Sequence, residues 1–452
     1  MWDAKVQTIK VSIPVSNPAP VLAGASVSAF LLGVIEGFYG RPWTPDQRHR
    51  LFAQMQGWGM NTYLYAPKED LKHRRHWRQA YEGPQAASLE ALIRDAHHHG
   101  VNFVYALAPG LDIVHSNEPD RAALLDKLSL VASLGARHFA LLFDDIPPEM
   151  NPADAQRYAG LGEAQADVTN LAAAHLRSLG RNATLLFCPT EYCTRRAEPS
   201  VADSPYLRAI GRHLEPQIGF LWTGPEVVSP QIDVEGIREL AAVIGRKPVL
   251  WDNLHANDYA PRRVHLGPYD RVPELRAEVA GMLSNPNTPF EVNYPSLASL
   301  ADYARGAADW TARASLNRAL AAWWPLLELD ADSDTEFKDL ALLADALYLP
   351  HTFGDLAQKL ADAARTVLEN RQTPEAVQRL ERDHTRLERL LRGLSGAGNR
   401  ELFFELHPYL IELVDELGRL RLRAVGSATA AFEPFPNAKP GSLVDQLRPK
   451  GV

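Results

Sequence analysis

The chain has 452 residues, of which 46% are apolar and 23% are charged, and these proportions are typical of globular domains. The length is sufficient for one large enzyme domain and a second module, and it excludes a peptide-sized function. The formal net charge of −8 disfavours nucleic-acid and membrane partners, because phosphate backbones and anionic lipid surfaces attract basic proteins.

Eight short apolar runs end abruptly in polar residues, which is typical of parallel strands covered by helices. The runs span residues 34–37, 62–68, 103–106, 139–145, 185–192, 220–223, 249–253 and 290–294. Helical patterns lie between them, including one over residues 269–283. An open doubly wound sheet is an alternative, but eight strands alternating with helices over roughly 280 residues favour a (β/α)8 TIM barrel in the α/β class.

The strand pattern ends near residue 297, and the chain beyond it is rich in Ala, Leu, Arg and Glu with helical spacing. Helices are predicted over residues 316–327, 334–347, 353–370, 374–391 and 399–425, and their short connections favour an antiparallel bundle. We therefore expect an N-terminal extension over residues 1–30, a barrel over 31–300, an α-helical bundle domain over 301–430 and a C-terminal tail over 431–452.

The cysteines and the amino terminus both bear on the cellular compartment in which we expect the protein. Cys188 and Cys193 are the two cysteines of the chain, which is too few for a disulfide framework and favours a reducing environment. The amino terminus lacks a basic stretch followed by an apolar run, and no apolar run approaches the ~20 residues that a membrane span needs. We expect a cytoplasmic protein.

Polar residues concentrate at the carboxyl ends of the predicted strands, which form the active face of such barrels. Asp144 and Asp145 follow an apolar run. Burying both carboxylates costs desolvation energy, which is expected only where they are paired with other polar groups or take part in the function. Metal binding or helix capping would also account for them. In conventional retaining glycosidases the two carboxyl groups come from different segments and lie on opposite sides of the glycosidic bond, an arrangement that two consecutive residues are not expected to form. Crowding can instead keep one protonated as a general acid while the other remains an ionised acceptor.

Such a pair suits a substrate whose own N-acetyl group is the nucleophile, because one carboxylate can bind the N–H of that group and align its carbonyl oxygen for attack. Tyr192, Trp222 and Trp251 could enclose the acetamide, and the Tyr192 hydroxyl could donate to the developing oxazoline oxygen; each aromatic would serve equally well in the core. Sugar hydroxyls could be bound by Lys68, Asn253, Asp258 and Asn293. The residues alone leave the roles of the two aspartates interchangeable.

Six motifs, in this order, resemble glycoside hydrolase family 84, the O-GlcNAcases that remove N-acetylglucosamine from serine and threonine. They are GVIEGFYGRPW (33–43), YLYAPKED (63–70), LLFDDI (141–146), FCPTEYC (187–193), LWTGP (221–225) and WDNLHANDY (251–259). The resemblance implies that Asp144 orients the acetamide, that Asp145 is the general acid and then the base, and that Tyr192 supports an oxazoline intermediate. It further implies substrate contacts for Gly37, Lys68, Cys188, Trp251, Asn253, Asp258 and Asn293.

The same resemblance implies a retaining, substrate-assisted β-N-acetylglucosaminidase acting on O-GlcNAc-modified proteins or peptides. We expect an enzyme of the bacterial type, without the acetyltransferase-like domain of the larger animal members. Cleavage of free amino-sugar oligosaccharides and non-catalytic sugar binding are the alternatives. The bundle dimerises in some family members and helps form a groove for protein substrates, so a homodimer is one expectation, and inert support of the barrel is the other. We expect no metal and no organic cofactor.

Overall fold

The structure is a computed structural model that describes residues 30–180, 183–260, 262–369, 371, 373–425 and 442–447. Eight parallel strands close into a barrel in chain order. They are β1 (Leu31–Glu36), β2 (Thr62–Tyr65), β3 (Asn102–Leu107), β4 (His138–Leu142), β5 (Thr184–Cys188), β6 (Gly219–Trp222), β7 (Val249–Asp252) and β8 (Gly281–Ser284). The predicted barrel fold is confirmed.

Helices alternate with the strands along most of the barrel. They are α1 (Pro45–Trp58), α2 (Pro84–His98), α3 (Glu118–Ser133), α4 (Pro152–Ala155), α5 (Leu161–Ser178), α6 (Pro205–His213), α7 (Val234–Ile244) and α8 (Tyr294–Arg305). α1 begins at Pro45 because Thr44 forms a capping box with Gln47 and Pro45 lies in the first turn, where its missing N–H costs nothing.

The eighth strand lies earlier in the chain than the sequence pattern predicted. β8 is Gly281–Ser284, inside the segment predicted as a helix, whereas Glu291–Asn293 forms a turn of 3-10 helix that leads into α8. Pro295 lies in the first turn of α8, a position that favours the start of a helix. The prediction was wrong because the apolar residues over 269–283 also fit helical spacing, while the apolar run over 290–294 resembled a strand.

The described chain beyond α8 is helical. It contains α9 (Ala312–Trp323), α10 (Phe337–Ala346), α11 (Asp355–Leu368), α12 (Pro374–Gly396), α13 (Arg400–Ala424) and α14 (Leu443–Gln446). Leucine and alanine side chains of these helices share one buried cluster, as in a helix bundle. No helix among the described residues is long and apolar enough to cross a bilayer.

The helical region contacts the barrel through α13. The carboxylate of Glu405 accepts hydrogen bonds from the backbone N–H groups of Phe290, at 2.9 Å, and Val292, at 3.2 Å.

The predicted boundary between the barrel and the helical domain at residue 300 stays a prediction. The predicted extension over residues 1–30, apart from Phe30, and the predicted tail, apart from residues 442–447, lie outside the described residues.

Two buried ion pairs hold the carboxyl ends of β1 and β7. Glu36 is fully buried and accepts two hydrogen bonds from Arg48 of α1, at 2.8 and 2.6 Å, and one from the Tyr63 hydroxyl. Asp252 accepts two hydrogen bonds of 2.8 Å from Arg271. Bidentate pairs of this kind are stable in the interior because their polar atoms are satisfied. We therefore assign these two carboxylates a structural role, in which they stabilise the barrel.

Replacing Arg48 by Met should lower the free energy of unfolding by about 3–5 kcal/mol, because Glu36 would remain buried without its partner. Equilibrium urea unfolding measures this loss. The matched control is Arg177→Met, since Arg177 pairs with Glu215 at the surface at 2.8 Å and surface pairs contribute little. Similar losses in the two variants would contradict a special role for the buried pair.

Candidate active site

A cavity of about 660 Å³ opens at the carboxyl ends of the barrel strands. Nine of the ten residues that the family resemblance assigns to the site line it, each at the end of a strand or in the loop that follows. These are Gly37, Lys68, Asp144, Asp145, Cys188, Tyr192, Trp251, Asn253 and Asp258. The loops after β1, β2, β4, β5 and β7 therefore converge on one cavity, as the barrel topology requires. Trp222, the further candidate for enclosing the acetamide, is buried and does not line this cavity.

Asp144 is buried in this cavity and paired with Lys68. Its Oδ2 lies 3.0 Å from the Lys68 Nζ, and the two side chains are 10% and 4% exposed. Burial acts to raise the pKa of Asp144, but the charges of Lys68 and Arg74 outweigh burial and hold the pKa below its ordinary value of 3.8. The Oδ1 atom is buried and has no hydrogen-bond partner among the described residues. Asp144 thus presents an ionised acceptor that a ligand donor could satisfy.

Asp145 has different surroundings although it is the next residue. Its φ is +52°, a left-handed conformation uncommon for residues other than glycine, and its side chain is 36% exposed. The Tyr192 hydroxyl donates to Asp145 Oδ1 at 2.7 Å, and the Arg196 guanidinium lies 3.5 Å from the same oxygen. Burial raises the pKa of Tyr192, and the charge of Asp145 raises it further, so Tyr192 remains a hydrogen-bond donor.

Trp251 and two asparagines form one wall of the cavity. The Trp251 indole N–H donates to Asn253 Oδ1 at 3.1 Å, and the Asn285 amide donates to the same oxygen at 2.9 Å. The backbone N–H of Gly37 donates to Asn285 Oδ1 at 3.3 Å. A Cβ atom at Gly37 would lie 2.6 Å from the Trp251 ring, so glycine permits this close approach. The ends of β1, β7 and β8 are thereby joined.

Asn293, the tenth predicted residue, does not line this cavity. Its side-chain amide donates to the backbone oxygens of Asn287 and Pro289 at 2.9 and 2.6 Å, and its Oδ1 accepts from Asn287. The misplaced eighth strand explains the difference, because the residue that follows the observed β8 is Asn285, which lines the cavity. The run Gly-Met-Leu-Ser before Asn-Pro-Asn, an apolar stretch ending in polar residues, is the signal that could have identified Asn285.

Several residues at the cavity were not selected from the sequence. Tyr39 and Tyr259 line it and are 47% and 54% exposed, and Arg195 forms an ion pair with Glu226 at 3.2 Å. His351 reaches the cavity from the segment between α10 and α11. A rule based on strand ends does not find His351, because its position depends on how the helical region packs against the barrel.

A closed parallel barrel with adjacent carboxylates at its carboxyl face is the arrangement found in TIM-barrel enzymes. Residues 32–339 match the NAGidase family model, which is described as beta-N-acetylglucosaminidase. The chain belongs to this family, which agrees with the predicted class of β-N-acetylglucosaminidase glycoside hydrolases.

Comparison with individual proteins supports the same family assignment. The Protein O-GlcNAcases of Rattus norvegicus and Mus musculus are each 48% identical over 294 residues, which is 64% of this chain and 32% of theirs. The match thus spans about a third of the length of these curated relatives. A solved O-GlcNAc hydrolase variant from Thermobaculum terrenum has a TM-score of 0.77 at 28% identity, covering 87% of this chain and 83% of that one. The narrower expectation of a bacterial type stays a prediction.

Changing Lys68 to Met should raise the pKa of Asp144, because burial would then act with less opposing positive charge. The native carboxylate stays ionised down to a pH below 3.8, whereas the variant should take up its proton at higher pH. Carboxyl ¹³C titration measures this, with the Asp144 signal assigned by its loss in Asp144→Asn.

The matched control is Lys72→Met. Lys72 donates to the Ala80 carbonyl and to Gln85 and does not belong to the residues that line the cavity, so the pKa of Asp144 should not change. An unchanged pKa in Lys68→Met would show that Lys68 does not control the ionisation of Asp144.

Proposed function

We propose that this chain is a retaining, substrate-assisted β-N-acetylglucosaminidase that removes N-acetylglucosamine from Ser/Thr of proteins through an oxazoline intermediate. The observation that supports this most directly is the contrast between adjacent carboxylates. Asp144 is buried and paired with Lys68, with one oxygen unpartnered among the described residues, and Asp145 is partly exposed. The rat and mouse relatives, which are named Protein O-GlcNAcase, and the Thermobaculum terrenum O-GlcNAc hydrolase support the substrate class.

In the proposed first step, the carbonyl oxygen of the substrate acetamide attacks the anomeric carbon while the glycosidic bond breaks. Asp144 Oδ1 accepts the acetamide N–H and so directs the carbonyl toward the anomeric carbon. Lys68 keeps Asp144 ionised, which stabilises the positive charge that develops on the acetamide. Asp145 donates its proton to the departing Ser or Thr oxygen.

In the proposed second step, water attacks the anomeric carbon and the bond to the oxazoline oxygen breaks. Asp145, now ionised, takes a proton from the water, and the acetamide is regenerated. The anomeric carbon is inverted twice, so its configuration is retained. Asp145 can serve both steps because its side chain is partly exposed toward the cavity.

The remaining residues have supporting roles in this proposal. The Tyr192 hydroxyl donates to Asp145 in the structure, and its proposed role requires it to turn to the acetamide oxygen and hold that oxygen in position for attack on the anomeric carbon. Trp251 and Cys188 would enclose the acetyl methyl group, while Gly37, Lys68, Asn253, Asp258 and Asn285 would hold sugar hydroxyls or the acetamide. Asn293 is not included, because its amide is satisfied by backbone groups outside the cavity.

The rim of the cavity is suited to a polypeptide. Tyr39 and Tyr259 expose aromatic rings there, and the Arg195–Glu226 pair offers charge of both signs. These groups can contact peptide backbone and side chains beyond the sugar. Dimerisation through the helical region, a cytoplasmic location and the bacterial type stay predictions.

Fluorine on the acetamide methyl should slow turnover of an aryl β-N-acetylglucosaminide steeply, because fluorine withdraws electron density from the attacking carbonyl oxygen. The measurement is kcat/KM with zero to three fluorines, at neutral pH and with a chelator present. Rates that do not depend on the number of fluorines would exclude the acetamide as nucleophile.

Asp145→Asn is the matched control, since it changes proton transfer and keeps the nucleophile. This variant should retain the dependence on fluorine, and with poor leaving groups it should lose about 10²–10⁴-fold in rate. Activated aryl leaving groups should be affected much less, because they depart without protonation. Equal losses for both kinds of leaving group would contradict the role of Asp145 as acid.

A glycopeptide carrying Ser-linked N-acetylglucosamine should be hydrolysed with at least about tenfold higher kcat/KM than a free disaccharide of N-acetylglucosamine, if rim contacts contribute about 1.4 kcal/mol. Product release measured side by side provides the comparison. A preference for the disaccharide would favour an exo-β-N-acetylhexosaminidase that acts on free oligosaccharides. Binding of both compounds without turnover would favour a sugar-binding pseudoenzyme.

A further inference from the structure

We propose that His49, Asp95 and His99 form a binding site for a divalent transition-metal ion, best suited to Zn²⁺, on the outside of the barrel. His49 lies on α1, Asp95 lies near the end of α2 and His99 directly follows α2. None of the three lines the cavity that contains Asp144. The site is therefore separate from the proposed hydrolytic chemistry.

The donor atoms already have the spacing of a metal site. One ligand atom from each residue lies within 4.8 Å of the others. His49 Nδ1 lies 3.0 and 3.1 Å from the two Asp95 oxygens, and His99 Nδ1 lies 3.5 Å from Asp95 Oδ1. Ligands bound to tetrahedral zinc at 2.0–2.2 Å are separated by about 3.4 Å. An ion could thus replace the imidazole proton of His49 with little movement of the side chains.

The surroundings hold His99 in place and leave one side open. His99 is 9% exposed, and its Nδ1–H donates to the Asp95 backbone oxygen at 2.9 Å, a hydrogen bond that an ion bound at Nδ1 would replace. Its ring lies 6.5 Å from the Phe52 ring and 5.1 Å from the His49 ring. The His49 side chain is 56% exposed and that of Asp95 is 26% exposed. Solvent can therefore supply the fourth ligand, as in zinc sites with three protein ligands.

The kinds of ligand indicate which ions the site prefers. Two imidazole nitrogens and one carboxylate oxygen suit Zn²⁺, Ni²⁺ and Cu²⁺, whereas Mg²⁺ and Ca²⁺ prefer oxygen ligands alone. Asp95 and His99 are four residues apart, so they lie on one face of the helix end, and His49 faces them from α1. A bound ion would join α1 to α2 and stabilise the folded state by mass action.

The test is calorimetric titration of ZnCl₂ into the full chain after EDTA treatment and removal of any polyhistidine tag. We expect one saturable site per chain, a Tm that rises with Zn²⁺ concentration, and visible Co²⁺ bands of the intensity typical of four-coordinate cobalt. His49→Ala should weaken Zn²⁺ binding at least tenfold. Asp95→Asn keeps the shape of the side chain and should weaken binding in the same way.

His97→Ala is the matched control, because His97 is an exposed imidazole on the same helix that does not belong to the cluster. Its affinity for Zn²⁺ should remain within twofold of the native value. Absence of a saturable site would overturn the proposal. Equal affinity in the native chain and in His49→Ala would also overturn it, since Zn²⁺ would then be bound by other histidines.

Discussion

Closure of the barrel between its first and last strands is the constraint on which the cavity depends. β1 and β8 pair from Leu31↔Gly281 to Val34↔Ser284, and a Cβ atom at Gly281 would lie 2.5 Å from the Leu31 carbonyl oxygen. Glycine therefore allows the two backbones to meet at this seam. Because the seam is closed, Gly37 after β1 can bond to Asn285 after β8. The loops of the first and last strands then form one wall.

The carboxylates at the strand ends differ in how completely their oxygens are satisfied. Glu36 and Asp252 each accept two hydrogen bonds from an arginine and at least one from a backbone N–H. Asp144 is paired with a lysine, which contacts only one of its oxygens and leaves Oδ1 buried without a partner among the described residues. A buried, ionised and incompletely satisfied oxygen is costly unless a ligand completes it. This difference separates the candidate catalytic carboxylate from the structural ones.

Much of the fold could be predicted because each parallel strand presents an apolar run with a polar end. That signal identified seven strands and the residues that follow them. It failed at β8, because the apolar residues over 269–283 also fit helical spacing, and Asn293 was chosen in place of Asn285 for that reason. The different surroundings of Asp144 and Asp145 were also beyond sequence reasoning, because they depend on the distant Lys68 and Tyr192.

The cavity is shaped by more than the barrel, and this follows from two contacts of the helical region. Glu405 of α13 accepts the backbone N–H groups of Phe290 and Val292 in the loop after β8, the same loop that begins with Asn285. His351, between α10 and α11, lines the cavity itself. The helical region thus contributes one side chain to the cavity and binds the backbone of the loop that follows β8. Neither contact could be read from its sequence pattern, which indicates only a bundle.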